Sequence, residues 1–359
     1  MKILISAGTR PEVIKIMPII MELKKRNINI FFLYTGQHRD LAKPLFDFFN
    51  IYPDIDLDIM KENQSISYIT ASILTKTEKI LMEEKPDIVL VHGDTSTTFV
   101  SALASFYQKI PVAHIEAGLR THNIYSPFPE ELNRTLVSKI ATYHFAPTET
   151  NFNNLINDGV NKDSIIITGN TVIDAVKHVA SSLQASKSKK ILVTTHRREN
   201  LGSPMKNICK AVKEIANIYN DYTVTIPMHP NPKVRKIIKS ILENVKNVNL
   251  IEPLDYVDFI KEMISSKIIL TDSGGIQEEA PAFDIPVVVL REETERTEGV
   301  KSGTLIMAGT NQENIFKITK KLITDKEYYN KIASAENPYG EGNSSKQIVD
   351  FLIDKLGDK

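Results

Sequence analysis

The chain has 359 residues, 42% of them hydrophobic and 25% charged, which predicts a globular enzyme of about two domains and excludes a disordered chain. The formal net charge is zero, so there is no broad electrostatic footprint for nucleic acid or an anionic membrane. Cys209 is the only cysteine, which excludes a disulfide or a cysteine-based zinc site within one chain. The N-terminal apolar run is typical of a strand, and no stretch approaches the roughly 20 apolar residues of a membrane span. We therefore expect a cytoplasmic protein with no nucleic-acid or membrane partner.

Short apolar runs typical of buried strands alternate with longer helical segments in the first half of the chain. The predicted strands are Lys2–Ser6, Asn29–Tyr34, Asp87–Val91, Pro111–Ile115 and Tyr143–Ala146, the last of which closes the set. The predicted helical stretches are residues 11–25, 39–84 and 95–108. Strands separated by helices in this way predict βαβ units and a parallel sheet.

The same pattern restarts near Lys190, after a polar, lysine-rich stretch (residues 181–190) that predicts an exposed connection. The predicted strands here are residues 191–195, 222–226, 248–251, 267–271 and 285–290. We therefore predict an α/β fold of two Rossmann-like domains with parallel sheets, covering residues 1–172 and 173–344. The last helix, within residues 345–359, could pack on either domain, including back on the first.

Polar clusters directly follow five of the predicted strands. Open parallel sheets bind ligands outside the carboxyl ends of their strands, so these clusters are candidate site residues. The clusters are Gly8–Glu12, His92–Thr95, Glu116–Arg120, His196–Asn200 and Asp272–Gly275.

The run Ser273, Gly274, Gly275 leads into a helix predicted over Ile276–Phe283. Glycines let the backbone approach a ligand closely, and the free amides of a helix start favour phosphate or pyrophosphate. A plain Asp272 cap with a glycine turn is the alternative. Glu279, one helical turn deeper, could accept hydrogen bonds from two ribose hydroxyls, and this favours a nucleotide site.

Three basic residues are candidates for binding the same anion. Arg10 beside a glycine turn suits a bidentate phosphate clamp, with a surface ion pair to Glu12 as the alternative. Lys15 lies on the following helix and could face the same cleft. Arg296 stands in a highly charged segment for which a solvated loop is the default interpretation.

Asp94, Glu116 and Glu130 are the candidate acid–base groups. Carboxylates that converge on one cleft raise one another's proton affinity, which suits proton transfer near neutral pH. Asp94 could instead cap the helix that starts at Thr95. His196 could act as an acid, a base or a phosphate donor, or be a hydrogen-bonded histidine at a strand end.

Several nucleotide and metal motifs are missing from the sequence. There is no Walker A sequence, and Gly8 does not begin a Gly-x-Gly-x-x-Gly run, which disfavours ATP hydrolysis and ordinary dinucleotide binding. The eight histidines form no His-x-x-x-His pair, and we predict no metal site.

Taken together, the segments resemble the non-hydrolysing UDP-N-acetylglucosamine 2-epimerase family. Each segment alone is weak, and their order and spacing make the match specific. The matching segments are Gly8–Glu12, His92–Thr95, His114–Arg120, Pro127–Arg134, Gly169–Asp174, Thr195–Asn200, His229–Pro232 and Asp272–Pro281. The resemblance implies the two-domain architecture of GT-B glycosyltransferases, a homodimer, and reversible conversion of UDP-GlcNAc to UDP-ManNAc without a cofactor. It also implies elimination of UDP to give 2-acetamidoglucal, followed by re-addition.

The resemblance also implies roles for single residues. Asp94, Glu116 and Glu130 would share proton transfer and sugar contacts. From their positions in the sequence, we also predict that His196 takes part in catalysis and that Lys15 binds substrate. Glu279 would hold the ribose, and Leu254 and Phe259 would flank the uracil. The diphosphate would be held by Arg10, His196, Ser273, Gly274, Gly275 and Arg296.

Relatives of this kind also bind UDP-GlcNAc as an allosteric activator. Gln37, Glu130, Arg197 and His229 match that effector site. Asp40 and Asn63 stand where glutamine and arginine are expected, and this departure puts effector binding in doubt.

Four alternatives remain open from the sequence. They are a hydrolysing epimerase, an epimerase of a diacetamido uronic sugar nucleotide, a GT-B glycosyltransferase and a catalytically silent UDP-sugar sensor. The run Gly93–Thr97 favours the non-hydrolysing branch, and no acceptor signature for a glycosyltransferase is present.

Overall fold

The computed structural model describes residues 1–36, 39–60 and 64–357. The chain divides into two compact units, which we call unit 1 (Met1–Ala175 with Tyr339–Lys359) and unit 2 (Val176–Pro338). Each unit is built on its own parallel sheet with helices between the strands. The predicted fold class, two α/β domains with parallel sheets, is confirmed.

The sheet of unit 1 has seven strands among the described residues, in the order β3-β2-β1-β4-β5-β6-β7. Its strands are β1 (Lys2–Ala7), β2 (Asn29–Tyr34), β3 (Ile55–Asp56), β4 (Ile88–His92), β5 (Val112–Ile115), β6 (Tyr143–Ala146) and β7 (Ile165–Ile167). Its helices are α1 (Arg10–Lys25), α2 (Arg39–Phe49), α3 (Ile66–Glu84), α4 (Ser96–Tyr107), α5 (Glu130–Ile140), α6 (Glu149–Asn157) and α7 (Thr171–Ser181), the last running into unit 2. A 3-10 turn covers Lys162–Ser164.

The sheet of unit 2 has six strands in the described part of the chain, in the order β10-β9-β8-β11-β12-β13. Its strands are β8 (Lys190–Thr194), β9 (Thr223–Pro227), β10 (Val248–Ile251), β11 (Ile268–Thr271), β12 (Val287–Val289) and β13 (Leu305–Met307). Its helices are α8 (Ser203–Ile218), α9 (Pro232–Leu242), α10 (Tyr256–Ser265), α11 (Gly274–Glu279), α12 (Thr297–Ser302), α13 (Gln312–Thr324) and α14 (Lys326–Ala333). Further 3-10 turns cover Arg198–Asn200 and Ala280–Phe283.

Three strands were not predicted from the sequence. The prediction that Tyr143–Ala146 closes the first set is wrong, because β7 pairs beside it with His144 opposite Ile165. The strands β3 and β13 are also additional. All three have only two or three residues, which is too short for an apolar period to stand out from loop sequence.

The central strands are apolar because helices cover both faces of each sheet. Every residue of β4 is buried, and Ile3, Leu4 and Ile5 of β1 are fully buried. Continuous apolar runs of this kind are the pattern of parallel strands without a solvent face. In the described residues, no helix is both long and apolar enough to cross a membrane.

The last helix, α15 (Ser344–Leu356), belongs to unit 1. It packs against α1, and Asp350 pairs with Arg26 at the end of that helix. The ring of Phe351 lies 5.1 Å from the ring of Tyr143 and 5.6 Å from that of Phe145. The chain therefore leaves unit 1, builds unit 2 and returns to complete unit 1.

The two passages of the chain between units are tied together within unit 1. The backbone N–H of Asn170 donates to the carbonyl of Tyr339 at 2.8 Å. The carboxylate of Asp174 accepts from the backbone N–H groups of Ser344 and Ser345 at 3.2 and 2.8 Å. The outgoing and returning segments are thus fixed to each other beside β7.

We expect Gly118→Ala to lower the free energy of unfolding much more than Gly159→Ala does. Both glycines have a left-handed backbone, with φ of 93° and 79°, so alanine costs about 1–2 kcal/mol at either position. A Cβ at Gly118 would lie 2.2 Å from the carbonyl oxygen of Asn151, whereas one at Gly159 would have no described residue within 4 Å except its chain neighbours. The overlap adds about 1–3 kcal/mol. Urea unfolding of the two variants measures the difference, and equal losses would contradict the close approach.

Candidate active site

A buried carboxylate, Glu12, holds together two loops at the carboxyl edge of the unit 1 sheet. One oxygen accepts from the backbone N–H groups of Gly8 and Thr9 at 3.1 and 2.7 Å. The other accepts from the hydroxyls of Thr95 and Thr98 at 2.8 and 3.1 Å. Burial raises the pKa of Glu12, and these hydrogen bonds oppose the rise. Glu12 therefore links the loop after β1 to the loop after β4.

The alternative of an ion pair between Arg10 and Glu12 does not hold in the described part of the chain. The partners of Glu12 are Gly8, Thr9, Thr95 and Thr98. Arg10 begins α1 and is half-buried at the same sheet edge.

Asp94 does not cap α4. The cap is Thr95, whose hydroxyl accepts from the N–H of Thr98. Asp94 instead accepts from the guanidinium of Arg134 at 2.5 Å, and its backbone carbonyl accepts from the side chain of Asn133 at 2.9 Å. Both partners lie on α5, so the turn after β4 is fixed by the helix that begins at Glu130.

Asp94 lies among several other charges. Burial is the main cause of its raised pKa, and the charges of Glu116 and Glu130 raise it further. Arg134 and Lys15 oppose the rise. The structure therefore brings the three predicted carboxylates and Lys15 into one electrostatic cluster, which we call the carboxylate cluster.

Glu116 follows β5 with a φ of 60°, a left-handed backbone that a residue with a side chain adopts only when its surroundings hold it there. Its Oε2 atom accepts from the ammonium of Lys15 and, at 2.9 Å, from the side-chain amide of Asn170. The Nε2 atom of His92 lies 3.8 Å from the same oxygen. Burial lowers the pKa of His92 to about 4, so this histidine is neutral near pH 7.

Glu130 begins α5 and is half-buried, whereas its neighbour Glu131 is buried. Glu131 accepts from the backbone N–H groups of Thr121 and His122 at 3.0 and 2.9 Å. It also lies 3.3 Å from the guanidinium of Arg134. Glu131 thus holds the loop before α5 in place. Glu130 is the member of the pair whose charge raises the pKa of Asp94.

Asp272 has a matching role at the carboxyl edge of the unit 2 sheet. It is fully buried and accepts from the hydroxyl of Thr195, the side chain of Asn200 and the backbone N–H groups of His196 and Arg197, each at 2.9 or 3.0 Å. The alternative of a plain Asp272 cap on α11 is therefore wrong, since the cap position is Ser273. Asp272 joins the loop after β8 to the loop after β11.

The Ser273–Gly275 turn lies beside two of the predicted ligand-binding side chains. A Cβ on Gly274 would be 3.4 Å from the guanidinium carbon of Arg296, and one on Gly275 would be 3.7 Å from a carboxylate oxygen of Glu279. Arg296 is not in a solvated loop, because its Nε donates to the buried Glu278 at 2.7 Å. The predicted helix 276–283 is α11 followed by the 3-10 turn Ala280–Phe283.

His196 is held in place from two directions. Its Nδ1 lies 3.3 Å from Asp272, and its ring stacks on that of His229 with centroids 5.5 Å apart. Burial lowers the pKa of His196, and the nearby His229 and Arg197 lower it further. The charge of Asp272 opposes this fall. The predicted residues His196, Arg197 and His229 therefore lie together at this edge.

The remaining predicted residues fall in different places. Leu254 precedes α10 and Phe259 lies on that helix, both half-buried. Gln37 and Asn63 lie outside the described residues, as does the side chain of Asp40. The effector site therefore stays a prediction. No metal-binding group of three or more His, Cys, Asp or Glu side chains occurs in residues 1–36, 39–60 and 64–357.

Sequence reasoning missed the supporting residues of the site. The sequence indicates Glu12 only as an alternative partner of Arg10, and Asn170 only as part of a matching segment. It predicts no role for His92, Asn133 or Arg134. A polar residue beside a predicted strand end was the available signal, but the groups that it contacts come from distant parts of the chain.

Comparison with known proteins gives a consistent result. The model of the family described as UDP-N-acetylglucosamine 2-epimerase matches residues 21–353. The chain is 49% identical to the UDP-N-acetylglucosamine 2-epimerase of Neisseria meningitidis, over 98% of this chain and 99% of that protein. It is 48% identical to that of Bacillus subtilis, over 99% of this chain and 96% of that protein.

The chain belongs to the UDP-N-acetylglucosamine 2-epimerase family. The fold agrees, because the crystal structure of the Neisseria meningitidis enzyme bound to UDP-GlcNAc matches with a TM-score of 0.88 and 48% identity. That match covers 99% of this chain and 100% of that one. The resemblance stated from the motifs is confirmed, and with it the prediction of a UDP-N-acetylglucosamine 2-epimerase.

We expect His114→Gln to make the enzyme less sensitive to acid. His114 donates from Nε2 to the carbonyl of Gly93 at 2.7 Å, and burial lowers its pKa to about 3. Between pH 6.5 and pH 3 the unfolded chain therefore binds a proton here that the folded chain does not, so stability falls as the pH falls. The loss is about 1.4 kcal/mol per pH unit well below pH 6.5.

Glutamine keeps an N–H donor in this position and cannot be protonated. Urea unfolding at pH 7, 6 and 5 should give a shallower decline for the variant than for the parent enzyme. Parallel declines would mean that His114 does not contribute to acid sensitivity.

Proposed function

We propose that the enzyme converts UDP-GlcNAc reversibly to UDP-ManNAc without hydrolysis, and so supplies ManNAc-type sugars for surface polysaccharide or glycan synthesis. The observation that carries the proposal is the carboxylate cluster of Asp94, Glu116 and Glu130 with Lys15. Binding of a nucleotide sugar alone needs fewer carboxylates. The UDP-GlcNAc in the Neisseria meningitidis structure supports the choice of substrate.

The chemistry that we propose is elimination followed by re-addition. The proton on C2 of the sugar is not next to a carbonyl, so its direct removal is difficult. When the C1–O bond breaks, its electron pair leaves with UDP and the C2 proton passes to a carboxylate, which leaves a C1=C2 double bond. The product pair is 2-acetamidoglucal and UDP. Attack of UDP on C1, with a proton delivered to the opposite face of C2, completes the inversion.

We assign proton transfer and sugar contacts to the carboxylate cluster and leave open which member removes the proton. Burial raises the pKa of Asp94, which shifts this carboxyl group towards the range in which it can donate a proton. Glu116 beside the ammonium of Lys15 is favoured in its ionised form. The cluster therefore contains groups suited to both directions of proton transfer.

We assign the UDP moiety mainly to unit 2. Ser273, Gly274, Gly275, Arg296 and His196 would hold the diphosphate, together with Arg10. Glu279 would hold the ribose, and Leu254 and Phe259 would flank the uracil. Fixed donors that stabilise the departing diphosphate contribute strongly to such a reaction because they need no rearrangement as charge develops. The homodimer and the cytoplasmic location stay predictions.

We expect Gly275→Ala to weaken UDP binding without lowering stability. Alanine in a helix is favoured over glycine by about 1 kcal/mol. Outside the backbone of α11 and the chain neighbours, the nearest atom of the described residues to a Cβ here is the Glu279 oxygen at 3.7 Å. The methyl group would occupy the surface that the diphosphate approaches, so we expect UDP affinity to fall by about tenfold or more. Calorimetric titration with UDP and urea unfolding measure the two effects.

Ser240→Ala, at an exposed position on α9, is the matched control. It should leave UDP affinity unchanged. Full UDP affinity in Gly275→Ala would remove the Ser273–Gly275 turn from the proposed site.

The reaction is tested by incubation with UDP-GlcNAc in deuterated water. We expect UDP-ManNAc carrying deuterium at C2, with a trace of UDP and 2-acetamidoglucal. Free ManNAc without UDP-ManNAc would support hydrolysis, and GlcNAc transfer to an added acceptor would support a glycosyltransferase. Glu116→Gln should retain UDP binding and lose deuterium exchange, and unchanged exchange would reject its catalytic role.

A further inference from the structure

Three hydrogen bonds of Asn170, among those within the described residues, meet in one place. Its backbone N–H donates to the carbonyl of Tyr339 at 2.8 Å, where the chain returns from unit 2. Its side-chain oxygen accepts from the N–H of Val172 at 3.0 Å, in the first turn of α7. Its side-chain nitrogen donates to Oε2 of Glu116 at 2.9 Å. Asn170 is itself buried, with 4% exposure.

These contacts fix the orientation of the Asn170 amide. The N–H of Val172 can only donate, so the atom facing it must be the amide oxygen. The NH₂ group is then the end that faces Glu116. A carboxylate that accepts from this donor and from the ammonium of Lys15 is favoured in its ionised form.

The position of Glu116 needs such support. Its left-handed φ of 60° is uncommon for a residue with a side chain, and such a backbone persists only when neighbouring groups determine it. Lys15 is on α1, and Asn170 is 54 residues further along the chain than Glu116. The two donors therefore reach Glu116 from separate elements and restrict its carboxylate from two directions.

We propose that Asn170 is a positioning residue that keeps the Glu116 carboxylate oriented and ionised for proton transfer. The proposal rests on the proposed function, because it assigns Glu116 to proton transfer. The same asparagine connects Glu116 to the segment in which the chain returns to unit 1. Glu116 is thus positioned by the part of unit 1 that joins it to unit 2.

Asn170→Asp tests the proposal with little change of shape. Aspartate caps helices as well as asparagine does, so α7 should keep its first turn. The new carboxylate would face that of Glu116, and two adjacent carboxylates cannot both ionise readily. We expect the acidic limb of the kcat/KM profile to move up by about one pH unit or more, which is about a tenfold loss on that limb.

Asn170→Ser is the second variant, because serine also caps helices but is too short to replace the donor to Glu116. We expect kcat to fall in both variants, with KM changed by less than about threefold. Calorimetric titration should give unchanged UDP affinity in both. Asn311→Asp, at the cap of α13 in unit 2, is the matched control and should keep the parent activity and pH profile.

The outcomes separate this proposal from the proposed function. The positioning role is overturned if Asn170→Asp keeps both the kcat of the parent enzyme and the acidic limb of its kcat/KM profile. It is also overturned if the loss of activity only parallels a loss of stability in urea. If the parent enzyme puts no deuterium at C2, the proposed function fails. The pH titration of the ¹³C carboxyl resonance of Glu116 then still measures the effect of Asn170, because it needs no turnover. The resonance is assigned by its absence from the spectrum of Glu116→Gln. An identical titration in Asn170→Asp would overturn the effect of Asn170 on Glu116.

Discussion

The buried carboxylates Glu12 and Asp272 hold together the sheet edges on which the proposed chemistry depends. Glu12 accepts hydrogen bonds from the loops after β1 and β4, which are neighbouring strands. Asp272 lies in the loop after β11 and accepts from the loop after the neighbouring strand β8. A buried charge is costly unless donors satisfy it, so the loops can separate only by leaving that charge unpaired. This constraint gives each unit a rigid edge, and the ligand-binding side chains stand on loops that are otherwise free to vary.

The two edges differ in the charge that they present. The unit 1 edge gathers Asp94, Glu116 and Glu130 with Lys15, which suits the movement of protons. The unit 2 edge combines a glycine turn with Arg296 and His196, which suits a departing diphosphate. An elimination that releases UDP from C1 and removes a proton from C2 needs groups of both kinds. The charges of the two edges therefore agree with the roles that we propose, which are proton transfer for unit 1 and binding of the diphosphate mainly for unit 2.

The sequence predicted the central strands and the positions of the site because both follow from local pattern. Strands buried on both faces are apolar runs, and ligands bind where parallel strands end. The strands β3, β7 and β13 were not predicted, because strands of two or three residues are defined by the strands with which they pair and not by their own sequence. The contact between Asn170 and Glu116 was not predicted for a related reason. The two residues are 54 positions apart, and the sequence around one contains no signal for its contact with the other.

The return of the chain to unit 1 has a consequence for how the protein is made. Residues 176–338 are synthesised before α15, so unit 2 can complete its sheet while unit 1 still lacks the helix that packs on α1. Domains generally fold as units during synthesis. Unit 1 is therefore completed only after unit 2 has been synthesised, although most of its strands are made before those of unit 2. The surface of α1 that α15 covers stays exposed for most of translation, which is the interval in which a chaperone would find it.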